Sequence, residues 1–153
     1  MRAGNVSSVH LHPETARLPM QLVPSIEAVT GKGILGCTRY FERQTRRQVT
    51  LIEREQIAEH ATALGIGIIA PGVVRSNIET TGICLRDAVG KQIQVGESVL
   101  LVRELRTPCE QMDAIAPGLR ELMRDGKQGV LAEVVRGGII RAGDSIALVP
   151  AGI

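Results

Sequence analysis

Two stretches of the chain repeat one design: "KQIQVGESVLLV" (Lys91–Val102) and "GIIRAGDSIALV" (Gly138–Val149). Aligned without gaps, five of twelve positions are identical, and Gly96-Glu97 falls on Gly143-Asp144. Each copy reads as strand, glycine–acid turn, strand, because glycine is free to take the positive φ that tight turns demand. Two such hairpins predict a closed or nearly closed β-barrel, since closure removes the unpaired edges that short strands expose. Hairpin chemistry shared by many small barrels would give the same match, and both readings favour a mainly-β fold.

The remaining strand-like runs are short and rich in β-branched residues. They are "QVTLI" (Gln48–Ile52) and "GVLAEVV" (Gly129–Val135), beside the repeats themselves. Two helices are expected between them. One spans "EREQIAEHATALG" (Glu53–Gly65), with Ile57, Ala58, Ala61 and Leu64 at helical spacing and Gly65 as its stop. The other lies in "MDAIAPGLRELMRDGKQG", where Leu119, Leu122 and Met123 form an apolar stripe ended by Gly126. The whole chain of 153 residues is expected to be a single domain, long enough to bury a core without disulfides.

Composition narrows the function classes. Net charge is only +2, so attraction to nucleic acid or membrane is not a property of the whole chain. Tyr40 and Phe41 are the only aromatic residues, which leaves an aliphatic core and no stacking platform for single-stranded nucleic acid. No apolar run approaches the roughly 20 residues that span a bilayer, and no secretory signal is expected at the N-terminus. Cysteines at 37, 84 and 109 are odd in number and widely spaced, which predicts reduced thiols in a cytoplasmic protein. No CxxC pair is present, so a structural zinc site is not expected.

Several residues are candidates for chemistry. In "GKGILGCTRYFERQTRRQVTLI" (Gly31–Ile52), glycines precede Arg39, Arg43, Arg46 and Arg47, a pattern suited to phosphate or carboxylate. A solvated basic loop is the plainer account of charge alone. "VRSNIETTGICL" (Val74–Leu85) clusters Ser76, Asn77, Thr80 and Thr81, which more often satisfy turn backbone than a ligand. His10 and His12 alternate on a possible strand and would share a face, but lack the further ligands of a metal site. His60 is expected at the surface or boundary of its helix. Cys109, in "RTPCEQM", follows Pro108 and precedes a helix, with Arg103 and Arg106 close in sequence. Such surroundings favour a thiolate, although free cysteine is more often simply buried and no base partner is identifiable.

Taken in order along the chain, "GILGCTRYF", "RRQVTLIEREQIAEH", "SNIETTGICL", "VGKQIQVGESVLLV", "RTPCEQMD", "GLRELM" and "GVLAEVVRGGIIRAGDSIAL" resemble a MOSC domain. That module is similar to the C-terminal domain of molybdenum cofactor sulfurases. The resemblance covers roughly Val6 to Val149. It implies a β-barrel-like fold with a few short helices and a site organised around one cysteine, which maps to Cys109. That thiol would carry sulfur or ligate molybdenum in a molybdopterin-type cofactor, since a thiolate is a soft donor suited to either task. Arg47 and Asn77 are the preferred binding residues beside it, followed by Thr81, Arg39, Arg46 and Arg120.

One departure is plain. Where the family commonly reads G-x-x-G-D-R, this chain has Cys37 in place of the aspartate, so no role tied to that carboxylate carries over. The domain that uses pyridoxal phosphate in the large sulfurases is not in this sequence, so a pyridoxal phosphate link would run through a partner.

Three functions follow as expectations. The first is reduction of N-hydroxylated compounds at a Cys109-ligated molybdenum, with an external electron-transfer partner. The second is a sulfur carrier holding a persulfide on Cys109, supplied by a donor such as a cysteine desulfurase. The third is a small barrel that binds nucleic acid or protein, against which the charge and the missing aromatics speak.

Overall fold

The computed structural model describes residues 3–12, 20–37, 41 and 47–150. Its strands are β1 (Gly4–Leu11), β2 (Gln21–Val23), β3 (Ser25–Val29), β4 (Gly33–Ile34), β5 (Val49–Glu53), β6 (Ile78–Thr81), β7 (Gln92–Val95), β8 (Ser98–Leu105), β9 (Val130–Arg136), β10 (Gly138–Arg141) and β11 (Ser145–Leu148). Three short helices join them: α1 (Arg54–Ala63), α2 (Gln111–Ile115) and α3 (Leu119–Leu122).

The first repeat folds as read. β7 and β8 pair antiparallel from Gln92↔Leu101 to Val95↔Ser98, leaving Gly96-Glu97 as a two-residue turn. The second does not, and this corrects the expectation of two hairpins. After Gly143-Asp144 the chain changes sheets: β10 pairs with β3, whereas β11 pairs with β7 on one side and β1 on the other. The turn is a corner, and the strand that leaves it closes the barrel. The ring runs β11-β7-β8-β9-β5-β6-β1 and returns to β11, a seven-stranded closed barrel with β2 added at β1. A smaller sheet, β10-β3-β4, covers part of it. Every ring pairing is antiparallel except β5–β6, which α1 and the following loop connect. A parallel pair requires such a crossover.

Strand β5 shows how the packing divides. Val49 and Leu51 point into the barrel with Ile78, Ile93, Leu100, Val102, Val130 and Ile146. Ile52, one residue on, points outward into a second core with Ile57, Ala61, Met112, Leu119 and Met123. This period of two is what lets one short strand serve two cores. The interior is aliphatic, as the composition requires, and each such side chain fully buried stabilises the fold by roughly 1.5–3 kcal/mol.

Helix α1 ends at Ala63, and Gly65, at φ 67, is its stop as the spacing predicts. The N–H of Ile66 donates to Ala61 O and that of Gly65 to Thr62 O, so the last carbonyls are satisfied. His60, expected at a surface or boundary, is instead buried, with Nε2 2.8 Å from Lys127 O. The second predicted helix is two helices. Pro117 forces Ala116 into extended backbone (φ −156), which separates α2 from α3. No helix among the described residues is long and apolar enough to cross a membrane.

Candidate functional site

The end of β8 delivers the segment that carries Cys109. Between Val102 and Glu104 the register with β9 slips by one residue, so the strand bends before its last residues. Arg106 N–H still donates to Gly129 O (3.0 Å), after which the chain leaves the sheet. Pro108 is buried, Cys109 is exposed with a free thiol, and α2 begins two residues later. Cys109 O accepts from Met112 N–H at 3.1 Å, which ties the loop to the helix.

Beside this segment lies a pocket of about 200 Å³. Its walls bring Cys109 together with Arg47, Arg75, Arg106, His12 and Gln128. Three guanidiniums around one thiol make an anion-accepting cavity with a single soft donor. The acidic side chain there, Glu104, accepts from Arg47 Nε at 3.3 Å across an exposed face. Arg106 is braced by Nη1 donating to Ser76 Oγ at 2.9 Å. Arg103, the other neighbour of Cys109 in sequence, pairs instead with Glu133 at 3.6 Å.

Arg75 was invisible in the sequence. It is buried and sits at φ 67, a left-handed conformation that glycine adopts freely and arginine rarely. Its position is held from behind. Gly72 N–H and Arg54 Nη1 both donate to the buried Glu79 carboxylate, at 2.8 and 3.0 Å, while Arg75 N–H donates to Gly72 O at 3.1 Å. His10 lies against the same carboxylate at 4.0 Å and is wholly buried. Its Nδ1 is 2.7 Å from Ser76 O and its Nε2 2.8 Å from Ser8 Oγ. Burial pulls the imidazole below its ordinary value of 6.5, against the opposing pull of the Ser76 carbonyl and Glu79.

The other sequence candidates fall in different places. Arg47 lines the pocket. Asn77 sits behind it, fully buried, where Oδ1 accepts from both the N–H and the hydroxyl of Thr50 at 3.1 Å. Thr81 lies at the far end of β6, opposite Asn5 of β1. Arg120 borders a groove on the other side of the Leu105–Pro108 segment, with Arg106 and Arg124, and its Nε is buried without a partner among the described residues. Arg39 and Arg46, with Arg43, lie outside the described residues. Among the described residues, no group of three or more His, Cys, Asp or Glu is assembled for a metal ion.

The model of the MOSC domain family matches residues 8–147. The chain belongs to the MOSC domain family. Among solved structures this MOSC domain is similar to the YuaD protein of Bacillus subtilis, with a TM-score of 0.80 at 19% identity over 95% of this chain and 94% of that one. It is similar also to YiiM of Escherichia coli, with a TM-score of 0.74 at 21% identity over 99% of this chain and 72% of that one. YiiM of Geobacillus stearothermophilus gives 0.75 at 17% identity, over 98% and 77%. These likenesses show the fold. A search of curated proteins returns no significant match.

Proposed function

We propose that this MOSC domain binds a molybdopterin-type molybdenum cofactor at the Cys109 pocket and uses it to reduce N-hydroxylated compounds. The observation that carries the reading is the donor set: one exposed thiol and three arginines around a single cavity. A metal held there would take Cys109 from the protein and its remaining donors from the molecule that brings it. That division suits a metal already bound by the sulfurs of an organic ligand. The residues fit such a group: Arg47, Arg75 and Arg106 match its phosphate, and Gln128 offers a buried acceptor, Oε1, that has no partner among the described residues.

When bound, the cofactor supplies oxygen-atom transfer and two-electron chemistry. The chain's own part is to hold the anionic end with guanidinium forks, present one soft sulfur, and orient the occupant against the residues that line the pocket, His12 and Gln128 among them. Electrons would come from a separate electron-transfer partner. Metal analysis of protein made in a cofactor-competent host and purified without oxygen tests the reading. About one molybdenum per chain is the expected result, and metal-free protein under those conditions contradicts it.

The exposure of Cys109 favours a second reading. An accessible thiol can accept a persulfide sulfur from a partner such as a cysteine desulfurase and pass it on. Incubation with a desulfurase and cysteine, followed by mass spectrometry, would then show one added sulfur on Cys109 and none in Cys109→Ser. An unmodified wild-type thiol rules the carrier out.

A further inference from the structure

Cys37 directly follows the Gly33–Gly36 stretch, and its surroundings give it a role that reaches the pocket. Its sulfur is 1% exposed, and His12 Nδ1 lies 2.8 Å from it. His12 in turn lines the Cys109 pocket. Asn77 determines which way the hydrogens point. Its Oδ1 must be the acceptor, because the Thr50 backbone N–H donates to it. Its Nδ2, which can only donate, therefore faces His10 O at 3.3 Å and Cys37 Sγ at 3.6 Å. Toward Asn77 the sulfur is an acceptor, so its own proton has His12 Nδ1 as the acceptor within reach among the described residues.

That proton has two resting places. On sulfur it leaves a neutral imidazole whose hydrogen is on Nε2. On Nδ1 it gives a thiolate beside an imidazolium, which again carries hydrogen on Nε2. Both arrangements make Nε2 a donor. An aspartate in the same place would do the reverse for a neutral ring: as an acceptor it would keep the hydrogen on Nδ1 and leave Nε2 bare.

A second feature of the same wall points to a polar occupant. Gln128 is 1% exposed and its buried Oε1 has no hydrogen-bond partner among the described residues. A buried acceptor left unsatisfied costs about 1–3 kcal/mol unless a ligand or water meets it.

We propose that His12 is the hydrogen-bond-donating residue of the Cys109 pocket, held in that state by Cys37 and Asn77. His12 acts on an oxygen of the bound anion from Nε2, while Cys37 is a positioning residue that never meets the occupant. The idea deepens the cofactor reading by giving the pocket a donor as well as an acceptor, but its test needs no cofactor.

Nitrogen-15 NMR of the apo protein reads the His12 tautomer directly, and inorganic phosphate serves as the anionic probe. In wild type and in Cys37→Ser, whose hydroxyl can donate in place of the thiol, Nε2 carries hydrogen. In Cys37→Ala the ring loses its fixed tautomer. Phosphate affinity is expected to fall about tenfold in His12→Ala, the size of one charged or strong neutral hydrogen bond. It should fall several-fold in Cys37→Ala and return in Cys37→Ser. A wild-type ring with hydrogen on Nδ1 alone overturns the proposal, as does a Cys37→Ala protein with an unchanged tautomer. If wild type binds no phosphate at all, the anion-site reading of the pocket fails, while the tautomer measurement still decides the role of Cys37.

Discussion

Gly96-Glu97 and Gly143-Asp144 are the same two-residue device set in different surroundings. The first returns the chain along its own track and joins β7 to β8. The second sends the chain from the small sheet into the barrel, where β11 fills the gap between β7 and β1. The two also touch. A Cβ on Gly96 would lie 2.4 Å from Asp144 Oδ2 and 3.1 Å from Ile139 O, whereas one on Gly143 would meet nothing within 4 Å. Local chemistry decides that the chain turns; the partner of the next strand depends on which edges are already waiting.

The sharpest way to break this comparison is to add one methyl group to each turn. Gly143→Ala, at φ 89 in open space, is expected to cost only the left-handed backbone penalty, about 1 kcal/mol. Gly96→Ala carries a similar penalty and a collision with the second repeat, and is expected to cost about 3 kcal/mol. Equal losses on urea denaturation would mean that the two turns are not packed as described.

Arg75 turns the same physics around. It accepts a left-handed conformation without being glycine, and such outliers persist where the surroundings hold them for a purpose. In Arg75→Gly the backbone's own contribution to stability should change by under about 1 kcal/mol, because the strain it relieves offsets the flexibility it adds. Phosphate binding in the pocket should weaken roughly tenfold, the value of a charge-assisted hydrogen bond. Calorimetry that finds unchanged affinity would remove Arg75 from the site.

The smallest effect concerns the support behind Arg75. His10 is held neutral by burial, so its folded-state pKa lies below 6.5 while the unfolded chain titrates near that value. Between the two the unfolded state binds more protons, so stability rises with pH through that window and is lost as pH falls below about 6.5. Melting temperatures measured from pH 5 to 7 should climb, and the climb should be shallower in His10→Gln. Glu53, half-buried and raised above its ordinary value of 4.5 by burial, acts with the opposite sign. Comparison of the two proteins at each pH removes that shared contribution.

Much of this was legible from residues alone. β-branched runs and glycine turns indicate the barrel, the periodicity of Ile57, Ala61 and Leu64 indicates α1, and the ordered landmarks indicate the family and single out Cys109. The corner at Gly143 was not legible, because strand pairing across the barrel seam is a non-local choice. Nor was the break at Pro117, where one residue outweighs an apolar stripe that runs on beyond it. At the site, Arg75 had no pattern to announce it, since only the folded loop shows its φ. His12 was set aside because its useful neighbours, Cys37 and the pocket wall, are distant in sequence and adjacent only in the fold. Asn77 stood out for its residue type, yet every contact found for it lies within the protein.

The central claim is that the metal of a bound cofactor depends on one thiol, Cys109, among three that this chain carries. Molybdenum content should be measured in parallel for wild type, Cys109→Ser and Cys84→Ser, all produced in a cofactor-competent host and purified without oxygen. The account predicts about one molybdenum per chain in wild type and in Cys84→Ser, and at least a tenfold loss in Cys109→Ser. Equal molybdenum in all three proteins, or none in any, would contradict it.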